Sequence, residues 1–220
     1  SSLGGLAAVA GPGPRLVDWL VRQVSELGVT IETASNNDDA TGFDVVIQAT
    51  GSTSGDPDHS VSENVGDGLI DVADVRRGAR FIPAGASVVV LDPIGGPIGV
   101  ALAEELGERA TLVTPDNIAG NELSRTGDLA PANVRLAQRG VTVRRRAIVR
   151  AISRDDRGVV VRVQDRFSGV TDELIAGCVV DAGFRLPTAP IPGAIQVGDC
   201  VAPRTILEAV LEGRRAAHGV

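Results

Sequence analysis

Three stretches of this 220-residue chain carry residue types and spacings suited to holding a nucleotide. The first is Asp92-Pro93-Ile94-Gly95-Gly96-Pro97-Ile98-Gly99, lying between the apolar run Ser87 to Leu91 and a helix through Val100 to Leu106. A strand that ends in glycines and opens straight into a helix can seat a pyrophosphate on the helix N-terminus. There the N–H groups and the dipole favour negative charge, and glycine lets phosphate approach the backbone. The regular G-x-G-x-x-G spacing would place glycines at 94, 96 and 99, and position 94 is Ile. The plain alternative is a tight turn that packs the helix on the sheet. After the next strand, Ala110 to Thr114, Asp116 is placed to accept from ribose hydroxyls as an NAD site requires. Arg144, Arg145 and Arg146 read as a solvated stretch between strands rather than a phosphate site.

The second and third stretches form a pair. Ala49-Thr50-Gly51 ends one strand, and Gly198-Asp199 ends a late strand just before the last helix. Asp199 can accept from a sugar or ribityl hydroxyl, with the helix N-terminus facing a pyrophosphate or flavin. Its alternative role is a simple helix cap. Cys200 stands next to Asp199 with no partner at CxxC spacing and reads as a packed thiol rather than a catalytic one.

Composition narrows the chemistry further. The basic residues number 21 and all are Arg; Lys, Tyr and Met are absent. Without Lys there is no P-loop and no pyridoxal-phosphate Schiff base. Two Cys (178 and 200) and two His (59 and 218) cannot build a four-ligand zinc site or a Cys-ligated iron–sulfur cluster. A net charge of −7 with 2% aromatic residues argues against nucleic acid as the main partner. No apolar run approaches the roughly 18 residues of a membrane span, and unpaired cysteines suit a cytoplasmic protein. The absent initiator Met makes the chain a processed product or a piece of a longer one.

The elements expected to position these residues alternate between strand and helix, which indicates α/β architecture. A helix from Pro14 carries Leu16, Leu20, Val24 and Leu27 at helical spacing and stops at Gly28. Val29 to Thr33 reads as a short strand. A polar loop at Asn36 to Asp39 precedes Phe43 to Ala49, read as a strand buried on both faces. Thr50 to Pro57 reads as loop, and Asp71 as the cap of a short helix ending at Gly78. Pro131 to Arg139 is a helix, Val141 to Val143 a strand, and Ala147 to Ser153 with Val159 to Gln164 an antiparallel pair. Cys178 to Asp181 is a buried strand, Ala194 to Val197 another, and a helix runs from about Pro203 to His218.

Taken together, the motifs resemble one known layout over essentially all 220 residues. Val46-Ile47-Gln48-Ala49-Thr50-Gly51-Ser52 is similar to the V-x-A-T-G-S of flavoproteins of the glutathione-reductase type. Val197-Gly198-Asp199-Cys200-Val201-Ala202-Pro203-Arg204 resembles their closing FAD segment. Asp92, Gly95 and Gly99 match the D-x-x-G-x-x-x-G of the trimethylamine dehydrogenase and 2,4-dienoyl-CoA reductase family, old yellow enzyme-like NADH:flavin oxidoreductases, as does Leu123 to Pro131.

The resemblance implies Rossmann-like three-layer nucleotide-binding domains. A partial FAD-like domain (1–85 and 187–220), lacking its first βαβ, would be split by an inserted NAD(P)- or ADP-like domain (86–186). Thr50, Gly51, Gly198 and Asp199 would line the flavin side. Asp92, Gly95, Gly96, Gly99 and Asp116 would serve the inserted site, with no catalytic or metal-binding residue in the chain. FMN and a [4Fe–4S] cluster would belong to an N-terminal TIM barrel of the same polypeptide. The implied function is electron relay between NAD(P)H and flavin. The alternatives are a structural module holding ADP in place of FAD, or a ligand-free fragment.

Overall fold

Val88-Val89-Val90-Leu91 is apolar at every position, and the computed structural model, which describes residues 3–9, 13–33 and 41–219, shows that both faces of this strand are covered. Val88 and Val90 pack with Val100, Leu102, Leu112 and Leu136 in one core. Val89 and Leu91 turn the other way, onto Ile152, Val159, Val161 and Val163. Period-2 alternation thus feeds two separate cores from one strand, as expected of a parallel strand in a central layer.

In chain order the described elements are α1 (Gly13–Glu26), β1 (Ile47–Gln48), β2 (Ser52–Ser54), β3 (Ser60–Val61), β4 (Leu69–Asp71) and α2 (Val72–Arg76). Then come β5 (Val88–Leu91), α3 (Pro97–Leu106), β6 (Ala110–Val113), α4 (Leu129–Gln138) and β7 (Thr142–Arg144). Next are β8 (Ala147–Asp155), β9 (Gly158–Asp165), β10 (Thr171–Ala176) and β11 (Cys178–Asp181). The chain closes with β12 (Arg185–Pro187), β13 (Ile195–Gln196) and α5 (Ile206–His218).

The inner unit is built on a parallel sheet in the order β4-β11-β5-β6-β7. Helices α3 and α4 cover one face, and the sheet β10-β9-β8-β3 covers the other, giving three layers. The outer unit is held by two small pairings: β1 runs parallel with β13, and β12 runs antiparallel to β2.

Several expectations need correction. Residues ahead of 86 also join the inner sheets: β4 pairs in register with β11 (Ile70 opposite Val180) and β3 pairs with β8. Backbone hydrogen bonding therefore draws 60–71 inward. Val29 to Thr33 is exposed and joins none of the described ladders, so no strand forms there. Phe43 to Ala49 shortens to the two residues of β1, with one neighbouring strand among the described residues and with Val45 and Ile47 exposed. Within 50–57, Ser52–Ser54 is a strand because Arg185–Pro187 pairs with it. β10, unread in the sequence, runs Thr-Asp-Glu and then Leu-Ile-Ala as the outer strand of its sheet, with Ala176 buried. The polar loop at Asn36 to Asp39 lies outside the described residues.

The Asp71 cap forms as expected, its carboxylate accepting from Ala73 N–H at 2.6 Å. Both cysteines are buried and unbridged. No helix among the described residues is long and apolar enough to cross a membrane.

Leu112 lies in the central layer with 0% exposure, whereas Val134 on α4 is half exposed. Leu112→Ala is expected to lower the unfolding free energy by about 2–5 kcal/mol in a denaturant titration. Val134→Ala should stay within about 0.5 kcal/mol of the parent. Equal effects would contradict a core centred on β5 and β6.

Candidate nucleotide-binding sites

The glycine turn follows β5, whose last carbonyl, on Leu91, accepts from Ala182 N–H at 2.9 Å. Asp92 is the next residue, and its side chain folds inward under the turn, leaving the residue 1% exposed. Its Oδ1 accepts from Gly95 N–H at 2.9 Å and from Gly96 N–H at 3.4 Å. Oδ2 has no hydrogen-bond partner among the described residues. Burial pushes the Asp92 carboxyl up to about 7; the Gly95 and Gly96 amides pull it down, and the neighbouring Asp116 carboxylate adds to the rise.

Two of the three glycines are required by the turn itself. Gly95 adopts φ 71°, and a Cβ there would stand 3.0 Å from Asn121 N and 3.1 Å from Asp116 Oδ2. A Cβ at Gly99 would fall 2.9 Å from Asp92 Cγ, so this glycine makes room for the Asp92 carboxyl group. Gly96 caps α3 at φ −94°, where a Cβ would meet only Ile94 Cγ2 at 3.6 Å. Pro97 takes the first helical position, where a missing N–H costs nothing.

The carboxyl edge of the inner sheet, where α/β folds bind ligands, is acidic along its length. Asp71 ends β4 and is clamped by Arg185 Nη1 at 2.8 and 3.0 Å. Asp181 ends β11, accepts from Gly183 N–H at 2.8 Å, and is raised by burial above the usual carboxylate range. Asp92 follows β5, and Asp116 stands just past β6 beside Gly95. Arg146, at φ 57°, reaches this edge through its backbone, donating to Asp116 O at 2.9 Å. Its guanidinium meets Asp165 Oδ2 at 3.4 Å.

In the outer unit the parallel pairing of β1 with β13 places Thr50-Gly51 and Gly198-Asp199 beyond the carboxyl ends of adjacent strands. Behind Thr50 lies Gln48, which no motif in the sequence marks and whose side chain ties Thr50 to the segment 189–191. It is 3% exposed, donates from Nε2 to Thr50 Oγ1 and to Ala189 O at 2.8 Å each, and accepts from Ile191 N–H at 2.8 Å. Thr50 Oγ1 lies 2.6 Å from Thr188 Oγ1, and Gly51 takes φ 80°. Gly198, at φ 71°, donates its N–H to Glu212 Oε2 at 2.7 Å, and Glu212 also pairs with Arg204. The Asp199 carboxylate, half-buried, accepts from Arg204 N–H at 3.4 Å. Thr205 caps α5 through a capping box with Glu208. Cys200 Sγ lies 3.1 Å from the carbonyls of Gln48 and Val197, a packed thiol.

The structure therefore brings the nine sequence-assigned residues to two edges, Thr50, Gly51, Gly198 and Asp199 at one and Asp92, Gly95, Gly96, Gly99 and Asp116 at the other. The outer edge offers a hydroxyl, a half-buried carboxylate and two glycines with positive φ, a set that fits a sugar hydroxyl close to the backbone. The inner turn does not fit a pyrophosphate as it stands, because the Gly95 and Gly96 amides donate to Asp92.

Comparison with solved structures identifies the architecture. Histamine dehydrogenase from Rhizobium sp. 4-9 aligns with 100% of this chain and 39% of its own, at a TM-score of 0.81 and 21% identity. 2-Naphthoyl-CoA reductase, in complex with 2-naphthoyl-CoA, aligns with 98% of this chain and 34% of its own, at 0.80 and 17%. Thioredoxin reductase from T. acidophilum aligns with 99% of this chain and 86% of its own, at 0.67 and 19%. The chain spans about two fifths or less of the length of the first two. It has the α/β, Rossmann-like three-layer fold of the glutathione-reductase type, and it has this fold in common with those proteins. No protein-family profile and no curated protein matches the sequence.

The buried acid has a measurable consequence. An unfolded Asp titrates near 3.9, so between about pH 4 and pH 7 the native chain keeps a proton that the unfolded chain has lost. Stability from this group therefore falls as pH rises through that window, by on the order of 4 kcal/mol in all. Asp92→Asn keeps an acceptor for the glycine amides and removes the titration. The loss of unfolding free energy between pH 5 and pH 8 should shrink by about 2–3 kcal/mol, measured by denaturant titration at each pH. An unchanged slope would show that Asp92 is ionised throughout.

Proposed function

We propose that this chain is the nucleotide-binding portion of a flavin-dependent oxidoreductase similar to the trimethylamine dehydrogenase and 2,4-dienoyl-CoA reductase family. The observation that carries the reading is the alignment of both units, in one chain order, with a third or so of a dehydrogenase and of a CoA-ester reductase. In the intact polypeptide an N-terminal barrel with FMN and a [4Fe–4S] cluster would hold the substrate. The outer edge would hold FAD, or ADP in its place, with Asp199 accepting from a sugar hydroxyl and Thr50, Gly51 and Gly198 admitting the ligand close to the backbone. FAD bound there supplies the redox chemistry. The side chains of this chain position it and perform no proton transfer.

Whether the portion relays electrons from NAD(P)H or braces the barrel divides two readings. The relay needs a dinucleotide on the inner turn. The bracing reading, with an adenine nucleotide as a structural ligand, is favoured by Asp92, which already accepts from the two amides that a pyrophosphate would use. The glycine pattern at 95 and 99 is then kept by the needs of the turn and of the Asp92 carboxyl group.

The intact polypeptide should release FAD or ADP on denaturation, identified by mass spectrometry. FAD accompanied by NAD(P)H oxidation supports the relay, ADP alone supports the brace, and no nucleotide at all overturns the assignment. Asp199→Ala should weaken retention of that nucleotide about tenfold, the worth of one charge-assisted hydrogen bond, without lowering the melting temperature.

A further inference from the structure

A Rossmann turn binds phosphate with N–H groups that have nothing else to bond, at the positive end of a helix. In this chain the two amides at the α3 N-terminus are engaged from within. Asp92 Oδ1 sits 2.9 Å from Gly95 N and 3.4 Å from Gly96 N, on a residue with 1% exposure. The contact is built into the packing. Gly99 lacks the Cβ that would strike Asp92 Cγ at 2.9 Å, and Ala182 lies against the same spot on the far side. A second observation points the same way: Asp92 Oδ2 is buried without a hydrogen-bond partner among the described residues. A carboxyl group left half-satisfied in the interior is costly and calls for a reason.

From these contacts we infer that Asp92 is an internal plug: its carboxyl group takes the place of a dinucleotide phosphate on the Gly95 and Gly96 amides and closes the inner unit to NAD(P)H. Asp116, whose Oδ2 would lie 3.1 Å from a Cβ on Gly95, sets a second carboxylate at the mouth of the turn. Further along the same edge stand Asp181 and Asp71, with Arg185 committed to Asp71, while Arg166 is held beside Asp116 by a bond to Pro115 O at 2.9 Å. An incoming pyrophosphate thus meets donors that are already occupied, with the Asp116 carboxylate beside them. The inner unit serves as a rigid three-layer spacer that carries β12, β13 and α5 into the outer unit. The inference sharpens the bracing reading and rests on it only for its biological meaning, since the closure is a property of this chain alone.

The test is NADH titration of the chain, followed through the Gly95 and Gly96 amide signals in ¹H–¹⁵N spectra. In the parent these two signals should stay in place at a large excess of NADH. In Asp92→Gly, with fold checked by circular dichroism, they should shift, and NADH should bind at least about tenfold more tightly, since each freed amide regains a charge-assisted bond. Asp92→Asn, which keeps the acceptor and removes the charge, should remain closed. Movement of the two amides by NADH in the parent overturns the plug on its own, even if Asp92→Gly fails to fold. So does a folded Asp92→Gly without gain. Opening by Asp92→Asn would overturn the claim that occupied donors do the closing. None of these outcomes depends on whether the intact polypeptide carries FAD or ADP, so failure of the plug and failure of the flavoprotein assignment are distinguishable.

Discussion

The ladder between β11 and its two neighbours holds the molecule together. Cys178–Asp181 is among the last strands in the chain, yet it enters the parallel sheet between β5 and β4. Its four residues pair with Val88 to Leu91 on one side, and three of them with Leu69 to Asp71 on the other. Parallel neighbours cannot be joined by a tight turn, so this insertion fixes the long path from β5 through β6, β7 and the β8–β10 meander back to the sheet centre. Cys178 and Val180 then complete the core under α3 and α4, while Val179 completes the one against the meander. Everything downstream inherits its position from that strand. Arg185 leaves β11 four residues later and reaches back to Asp71 at the end of β4, tying the outer pairing of β12 with β2 to the inner sheet.

The same ladder determines where chemistry can occur. Parallel strands put their carboxyl ends on one edge, and in most α/β folds that edge is where an anion finds open N–H groups. Here the residues at the strand ends are Asp71, Asp181 and Asp92, with Asp116 close behind. The carboxylates of Asp71, Asp181 and Asp92 are spent internally on Ala73, Gly183, Gly95 and Gly96 amides and on Arg185. The helix dipole of α3 is answered from within the chain, by an acid at its N-terminal end as the dipole prefers. The outer edge repeats the device in weaker form. Glu212 accepts from Gly198 N–H and is held below the usual carboxylate range chiefly by that bond, leaving Asp199 half-buried at the neighbouring position.

The inner sheet was readable from the sequence because its strands are buried on both faces, and a continuous apolar run such as Val88 to Leu91 suits few places other than a covered central strand. The outer unit was harder. Phe43 to Ala49 has an apolar run of its own in Val45-Val46-Ile47, but among the described residues only Ile47–Gln48 joins a ladder, with one strand beside it, and Val45 remains exposed. Composition reports burial that a segment is capable of, whereas the pairing partner determines whether it is achieved. Thr171–Ala176 shows the converse: Thr-Asp-Glu is a poor strand signal, and it becomes one because β9 offers it a full edge. Nothing local to Leu69–Asp71 announces its partner, Val179 to Asp181, far along the chain.

The site residues were legible as positions and misleading as contacts. Glycines at 95, 96 and 99 correctly marked a strand-to-helix turn, because this turn needs positive φ at Gly95 and room for Asp92 at Gly99. What a sequence pattern cannot distinguish is a phosphate outside the turn from a carboxylate inside it, since both ask the backbone for the same thing. The discriminating residue was Asp92, and its meaning lies in its direction: inward, bonded to the amides, with one oxygen unsatisfied. Gln48 escaped notice for a similar reason. An amide side chain inside an apolar stretch reads as a strand residue, and only its bonds to Ala189 and Ile191 show that it ties Thr50 to that later segment. In a chain with no lysine and an excess of acids, both nucleotide-type turns have thus been supplied with anions of their own.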